Sequence, residues 1–142
     1  MARWLHGLGY NVAVNATGRA PRHEDWQDYA DSGDLEINQR MEVKRLSVDF
    51  TGRQDWPFGS KFLVCARHSF DRAMPKPHAY IILNRTGTHA AIVKKETYPQ
   101  WYVEKRTDSR YQGVEQEFYL APLECVQFHQ LKQQEGFYGT RD

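Results

Sequence analysis

The chain has 142 residues, 40% of them hydrophobic and 26% charged, with two cysteines and a formal net charge of +1. A chain of about 150 residues buries enough of its own surface to fold as one domain without a disulfide or metal staple, and this composition excludes collagen-like, coiled-coil and intrinsically disordered chains. No apolar run approaches the roughly 20 residues of a membrane span, no secretory leader opens the sequence, and Cys65 and Cys125 form neither a CxxC pair nor a disulfide framework, so a soluble protein of a reducing, cytoplasmic compartment is expected.

In chain order, Ala2–Leu8 is expected to form two helical turns ending at Gly9, and Tyr10–Val14 alternates as a short strand. Asn15–Arg22 reads as loop, with Gly18 and Pro21 as breakers, and His23–Asp31 as a short acidic helix closed by Ser32-Gly33. Leu35–Ile37 begins a strand, Asn38–Arg40 is a turn, and Met41–Phe50 is a long second strand, so the two are expected to pair as a hairpin. Thr51–Ser60 is a loop or helical insertion. Lys61–Ala66, His78–Leu83, His89–Lys94, Trp101–Lys105 and Gln116–Leu120 read as strands rich in β-branched and aromatic residues, with Arg85-Thr-Gly87 as the clearest hairpin turn. Pro122 opens a short closing helix with Leu123, Val126 and Phe128 facing inward. The expected fold is a single strand-rich α+β (α/β) domain over residues 1–131, a mixed central sheet with few short helices, followed by a polar tail at 132–142.

Charge is unevenly spread: three basic and six acidic residues in 1–36, eleven and four in 37–95, five and eight in 96–142. An anionic partner would meet the middle third, unless its lysines and arginines coat solvated strand faces.

The most informative segment is Ser32-Gly-Asp-Leu-Glu-Ile-Asn-Gln-Arg-Met-Glu-Val-Lys-Arg45. A period of two puts Glu42 and Lys44 on one strand face and Val43 on the other, and the expected hairpin lets Asp34 approach Glu42. Two carboxylates beside an ammonium suit phosphodiester hydrolysis, because hard oxygen ligands hold Mg²⁺, the ion polarises the phosphate and lowers the pKa of bound water, and the lysine orients that water and stabilises developing charge. The competing reading makes Asp34 a turn residue and Glu42/Lys44 a surface pair worth about 0–1 kcal/mol. Buried parity flips along Met41–Phe50, from Met41 and Val43 to Leu46, Val48 and Phe50, which points to a bulge beside a site or to a strand buried on different faces at its two ends.

Gly33-Asp34, seven residues, then Glu42-Val43-Lys44 resembles the PD-(D/E)xK signature of restriction-endonuclease-like nucleases, in the variant of Holliday junction resolvases and related phage enzymes. Leu8–Val12 is similar to the end of that fold's first helix, and Phe50-Thr51 with Asp55–Phe58 to segments of small phage and bacterial proteins that share the motif. The resemblance covers residues 5–50 and implies a Mg²⁺- or Mn²⁺-dependent DNA endonuclease, with Asp34, Glu42 and the Val43 carbonyl as metal ligands and Lys44 as catalytic lysine. It also implies a homodimer. The first helix carries none of the acidic residues common in that superfamily, and Glu24, Asp28 or Glu36 would supply a further ligand.

Arg40, Arg45, Arg53, Lys61 and Arg72 are the expected phosphate contacts. His68–Arg72 reads either as a phosphate-contacting cluster or as a turn with Asp71 bonded locally. Trp56, Phe58, Tyr98, Trp101, Tyr102 and Tyr111 stack on unpaired bases if exposed; core positions for Trp101, Phe118 and Tyr119, and packing over a sheet edge for Trp56-Pro57-Phe58, are the simpler expectation. No zinc spacing, nucleophile elbow or P-loop is present. The competing function is a non-catalytic DNA- or protein-binding accessory protein of phage or mobile-element origin, motivated by the near-neutral charge.

Overall fold

The computed structural model describes residues 1–8, 10–14, 24, 35–108 and 112–132. The chain divides into two compact units, Met1–Arg40 and Met41–Asp142. The expected acidic helix at 23–31, apart from Glu24, and the tail from residue 133 onward lie outside the described residues.

In the first unit, helix α1 spans Ala2–Gly7. Its last turn is tied to the following chain by the Tyr10 N–H, which donates to the Leu5 carbonyl at 3.2 Å. Strands β1 (Asn11–Val14) and β2 (Leu35–Asn38) pair antiparallel, with Asn11 opposite Asn38 and Val14 opposite Leu35.

The second unit holds two sheets. The first runs β3 (Met41–Arg45), β5 (Ala79–Leu83), β6 (His89–Lys94), β9 (Val126–Gln130), with β3 parallel to β5 and the other pairs antiparallel. The second runs β4 (Lys61–Ala66), β8 (Val114–Pro122), β7 (Tyr102–Asp108), all antiparallel. The hairpin expected between Leu35–Ile37 and Met41–Phe50 is therefore replaced by two separate pairings, β1 with β2 and β3 with β5.

Alternation builds the core. Tyr80 and Ile82 of β5 lie beside Val93 and Ala91 of β6, and these beside Val126 and Phe128 of β9, so across these three strands one face of the sheet is a continuous apolar layer. Phe62, Val64 and Cys65 of β4 and Tyr119 and Ala121 of β8 belong to the same buried cluster. On β4 the register slips between Leu63 and Cys65; beside this bulge the consecutive residues Val64 and Cys65 both join the same buried cluster.

Three expectations are corrected. The long strand Met41–Phe50 stops at Arg45: the Leu46 N–H still donates to the Leu83 carbonyl at 2.9 Å, but the chain then bends. The parity flip marks this strand end rather than a bulge, and carries Phe50 into the core at 1% exposure. The closing helix is a single 3₁₀ turn, Leu123–Cys125, followed by β9; Val126 and Phe128 do pack inward, at strand spacing. His68–Arg72 is part of a short helix, α2 (Arg67–Arg72), with Phe70 buried beneath it.

Around the core, the loop 51–60 sends Trp56 inward rather than over an edge. The indole is 6% exposed, stacks on Phe62 at 5.8 Å and 8°, meets Phe50 edge-on at 5.0 Å, and donates its N–H to the Lys61 carbonyl at 3.0 Å. The turn at 84–88 follows the expected Arg85-Thr-Gly87, with Gly87 at φ +72°, a conformation that glycine adopts without a Cβ penalty. Buried Asn84 clamps that turn, donating to the Phe50 carbonyl and accepting from the Thr88 and His89 N–H groups. No helix among the described residues is long and apolar enough to cross a membrane.

Candidate functional site

Strand β3 forms one edge of its sheet, and its ladder decides what each residue presents. The pairs Glu42–Tyr80 and Lys44–Ile82 lie side by side, and neighbours across a parallel pair share a face. Glu42 and Lys44 therefore project from the same face as the buried Tyr80 and Ile82, and Met41, Val43 and Arg45 from the other. Glu42 is half-buried and Lys44 exposed. Because the Leu46 N–H bonds to Leu83, and alternate residues bond inward in a parallel ladder, Glu42 and Lys44 use their main-chain groups on β5. The Val43 N–H and carbonyl point to the open edge, with which no other strand pairs among the described residues.

Both side chains are sensed by the core. Burial pushes the Cys65 thiol above its usual range; a hydrogen bond with Tyr80 and the Lys44 charge pull it back, while Asp71 and Glu42 add to the rise.

Asp34 lies outside the described residues, as does Asp28; Glu24 is exposed, and Glu36 is a backbone position on β2 opposite Ala13. Among the described residues no group of three His, Cys, Asp or Glu side chains is arranged to hold a metal ion.

The expected phosphate contacts separate into engaged and open groups. Arg45 bonds through its guanidinium to the Arg85 carbonyl. Arg53 lies 3.8 Å from Glu124, and Lys61 pairs with Glu104 at 2.9 Å. Hydrogen bonds from Lys61 and then Arg106 hold the Glu104 carboxyl below its ordinary value. Arg40, in the first unit, is exposed. Arg72, the last residue of α2, is exposed and, like Lys44, Lys94 and Lys95, makes no ion pair among the described residues.

Sequence reasoning singled out His68–Arg72 but missed the partners that gather around it on α2. The Tyr119 hydroxyl donates to Asp71 at 2.8 Å and lies 3.4 Å from the Tyr98 hydroxyl; Arg67 reaches Asp71 at 3.4 Å and Glu117 at 2.9 Å. Burial first, and then these bonds to Tyr98 and Asp71, hold the Tyr119 phenol protonated well above its usual range. Asp71 is thus bonded both across the fold, to Tyr119, and locally, to Arg67 one turn back in α2. Phe70 underlies the cluster, 5.0 Å from Tyr98, 5.3 Å from Trp101 and 5.4 Å from Tyr119. The apolar Phe70 inside a polar run was the one signal for it. Core positions hold as expected for Phe118 and Tyr119, with Trp101 packed against the core; Tyr98, Tyr102 and Phe58 keep 42%, 40% and 47% of their surface exposed, and Tyr111 lies outside the described residues.

No family model, no curated protein and no solved structure matches the chain.

Proposed function

We propose that the protein is a metal-dependent DNA endonuclease of restriction-endonuclease-like fold, with β3 as its catalytic edge. The observation that carries the reading is the placement of Glu42 and Lys44 side by side on one face of an edge strand, with the Val43 carbonyl turned to the unpaired side. The mixed sheet with its parallel β3–β5 pair also supports it. Mg²⁺ is commonly held by one or two carboxylates, with waters and substrate phosphate completing its shell. Glu42 and the Val43 carbonyl are donors of that hard type, and Asp34 is the second carboxylate of the motif. A bound ion supplies phosphate polarisation and an acidified water. Lys44, exposed and without an ion pair among the described residues, is a cation available to stabilise negative charge developing on the phosphate.

Isothermal titration with Mg²⁺ and Mn²⁺ tests the reading. Heat is expected with the native chain and lost in Glu42→Gln and in Asp34→Asn. A silent titration selects the second reading, a non-catalytic DNA- or protein-binding accessory protein of phage or mobile-element origin, which the near-neutral net charge of +1 motivates.

A further inference from the structure

Phe70, Asp71 and Lys76 on one side, and Lys95, Tyr98 and Pro99 on the other, line an open groove of about 550 Å³. The two sides are joined by the Lys95 N–H, which donates to the His78 carbonyl at 2.9 Å. The Lys76 ammonium is fixed at the C-terminal end of α2, donating to the Phe70 carbonyl at 2.6 Å and the Asp71 carbonyl at 3.3 Å, and lying 4.5 Å above the Phe70 ring. Opposite it, the Tyr98 ring is held rigid, stacked on Phe70 at 5.0 Å and 22° and edge-on to Trp101 at 5.4 Å, yet 42% of its surface stays open. Exposed Arg72 and Lys94 continue the positive charge next to the groove in sequence. The one carboxylate of the lining, Asp71, is countered by Arg67 at 3.4 Å and accepts the Tyr119 hydroxyl, while exposed Glu96 follows Lys95 in sequence.

A preset aromatic ring in a groove lined by two lysines matches an unpaired nucleotide, because a base reaches a ring face only when it has left its duplex partner, while its phosphates take the cations. We propose that this groove binds single-stranded DNA, with one base on Tyr98 and the flanking phosphates on Lys76 and Lys95. The inference rests on the reading of the chain as a DNA-acting protein and adds the strand state of its substrate. It also relates to β3: Tyr80, beside Glu42 in the ladder, has its ring 6.0 Å from Trp101, which in turn contacts Tyr98. The groove and the Glu42–Lys44 face are two rings apart.

Fluorescence anisotropy of a labelled oligothymidylate, titrated with the full chain in EDTA, tests this without cleavage. Tighter binding is expected for the oligothymidylate than for a duplex of equal length. Tyr98→Ala should weaken it by about 5- to 100-fold, and Tyr98→Phe should leave it unchanged. Lys95→Ala should lower the slope of log K against log salt by about 0.7, and Lys105→Ala, on β7, should not. Duplex binding as tight as single-strand binding, native affinity in a folded Tyr98→Ala, or native affinity and slope in Lys95→Ala, overturns the proposal. If Tyr98→Ala does not fold, the preference for single strands and Lys95→Ala carry the test. An oligonucleotide bound through Tyr98 and Lys95 but never cut with Mg²⁺ supports the groove while contradicting the nuclease. Cleavage with native affinity and slope in Lys95→Ala does the reverse.

Discussion

Asp55 gathers the Thr51 N–H at 2.8 Å, the Gly52 N–H at 2.9 Å and the Thr51 hydroxyl at 2.9 Å, and the next residue, Trp56, enters the core. The main-chain donors of Thr51 and Gly52 hold the Asp55 carboxyl below its ordinary value. A carboxyl whose folded pKa is depressed contributes stability above the unfolded value, about 3.9 for Asp, and loses it as pH falls through the folded value. Urea midpoints measured from pH 6 downward should therefore decline less steeply in Asp55→Asn than in the native chain, and that variant should be the less stable of the two at pH 6. Parallel declines would contradict the role given to Asp55. The turn formers Asp55, Pro57 and Gly59 made this loop legible, but not the destination of Trp56, because its partners Phe50, Phe62 and Phe128 sit on separate elements. Likewise the shared face of Glu42 and Lys44 was legible from alternation alone, whereas the cations already taken were not: Lys61 finds Glu104 43 residues away and Arg67 finds Glu117 50 residues away.

Elements whose both faces are apolar or cleanly punctuated were read correctly. Lys61–Ala66 and His89–Lys94 coincide with β4 and β6, since β-branched and aromatic runs there end at the start of α2 and at the 3₁₀ turn Lys95–Gln100. β3 was read too long because Leu46, Val48 and Phe50 continue an apolar alternation after the ladder has ended at Arg45. The closing segment misled in the opposite sense: Pro122 resembles a helix start, but it ends β8, and the two-residue spacing of Val126 and Phe128 is the period that won. The ladder of β3 makes a prediction of its own. Lys44 donates its N–H into β5 while that of Val43 points to the open edge, and proline removes the donor. Lys44→Pro should be more destabilising than Val43→Pro by about 1–3 kcal/mol, the cost of a donor lost from a ladder with its acceptor left behind. Equal losses on chemical denaturation would contradict the assigned parity.

Over the whole molecule, the charge separation seen along the chain is partly cancelled in space. Cations of the middle third pair with carboxylates of the last, Arg53 with Glu124, Lys61 with Glu104, and Arg67 with Glu117. What stays open of the middle third among the described residues is a smaller set, Lys44, Arg72, Lys94 and Lys95, which is why Lys44 and Lys95, with Lys76 held only by main-chain carbonyls, and not Arg53 or Lys61, carry the DNA-binding reading. On the function proposed above, the β3 edge cuts phosphodiesters. The most direct test of that claim is the cleavage rate of branched, nicked and linear DNA with Mg²⁺ by the native chain and by Lys44→Ala and Asp34→Asn, each shown to be folded. The account predicts Mg²⁺-dependent cleavage by the native chain and a loss of at least about 100-fold in both variants, the scale on which removing a group that stabilises transition-state charge is felt. Cleavage at the native rate in both, or none by the native chain on any of these DNAs, would contradict it.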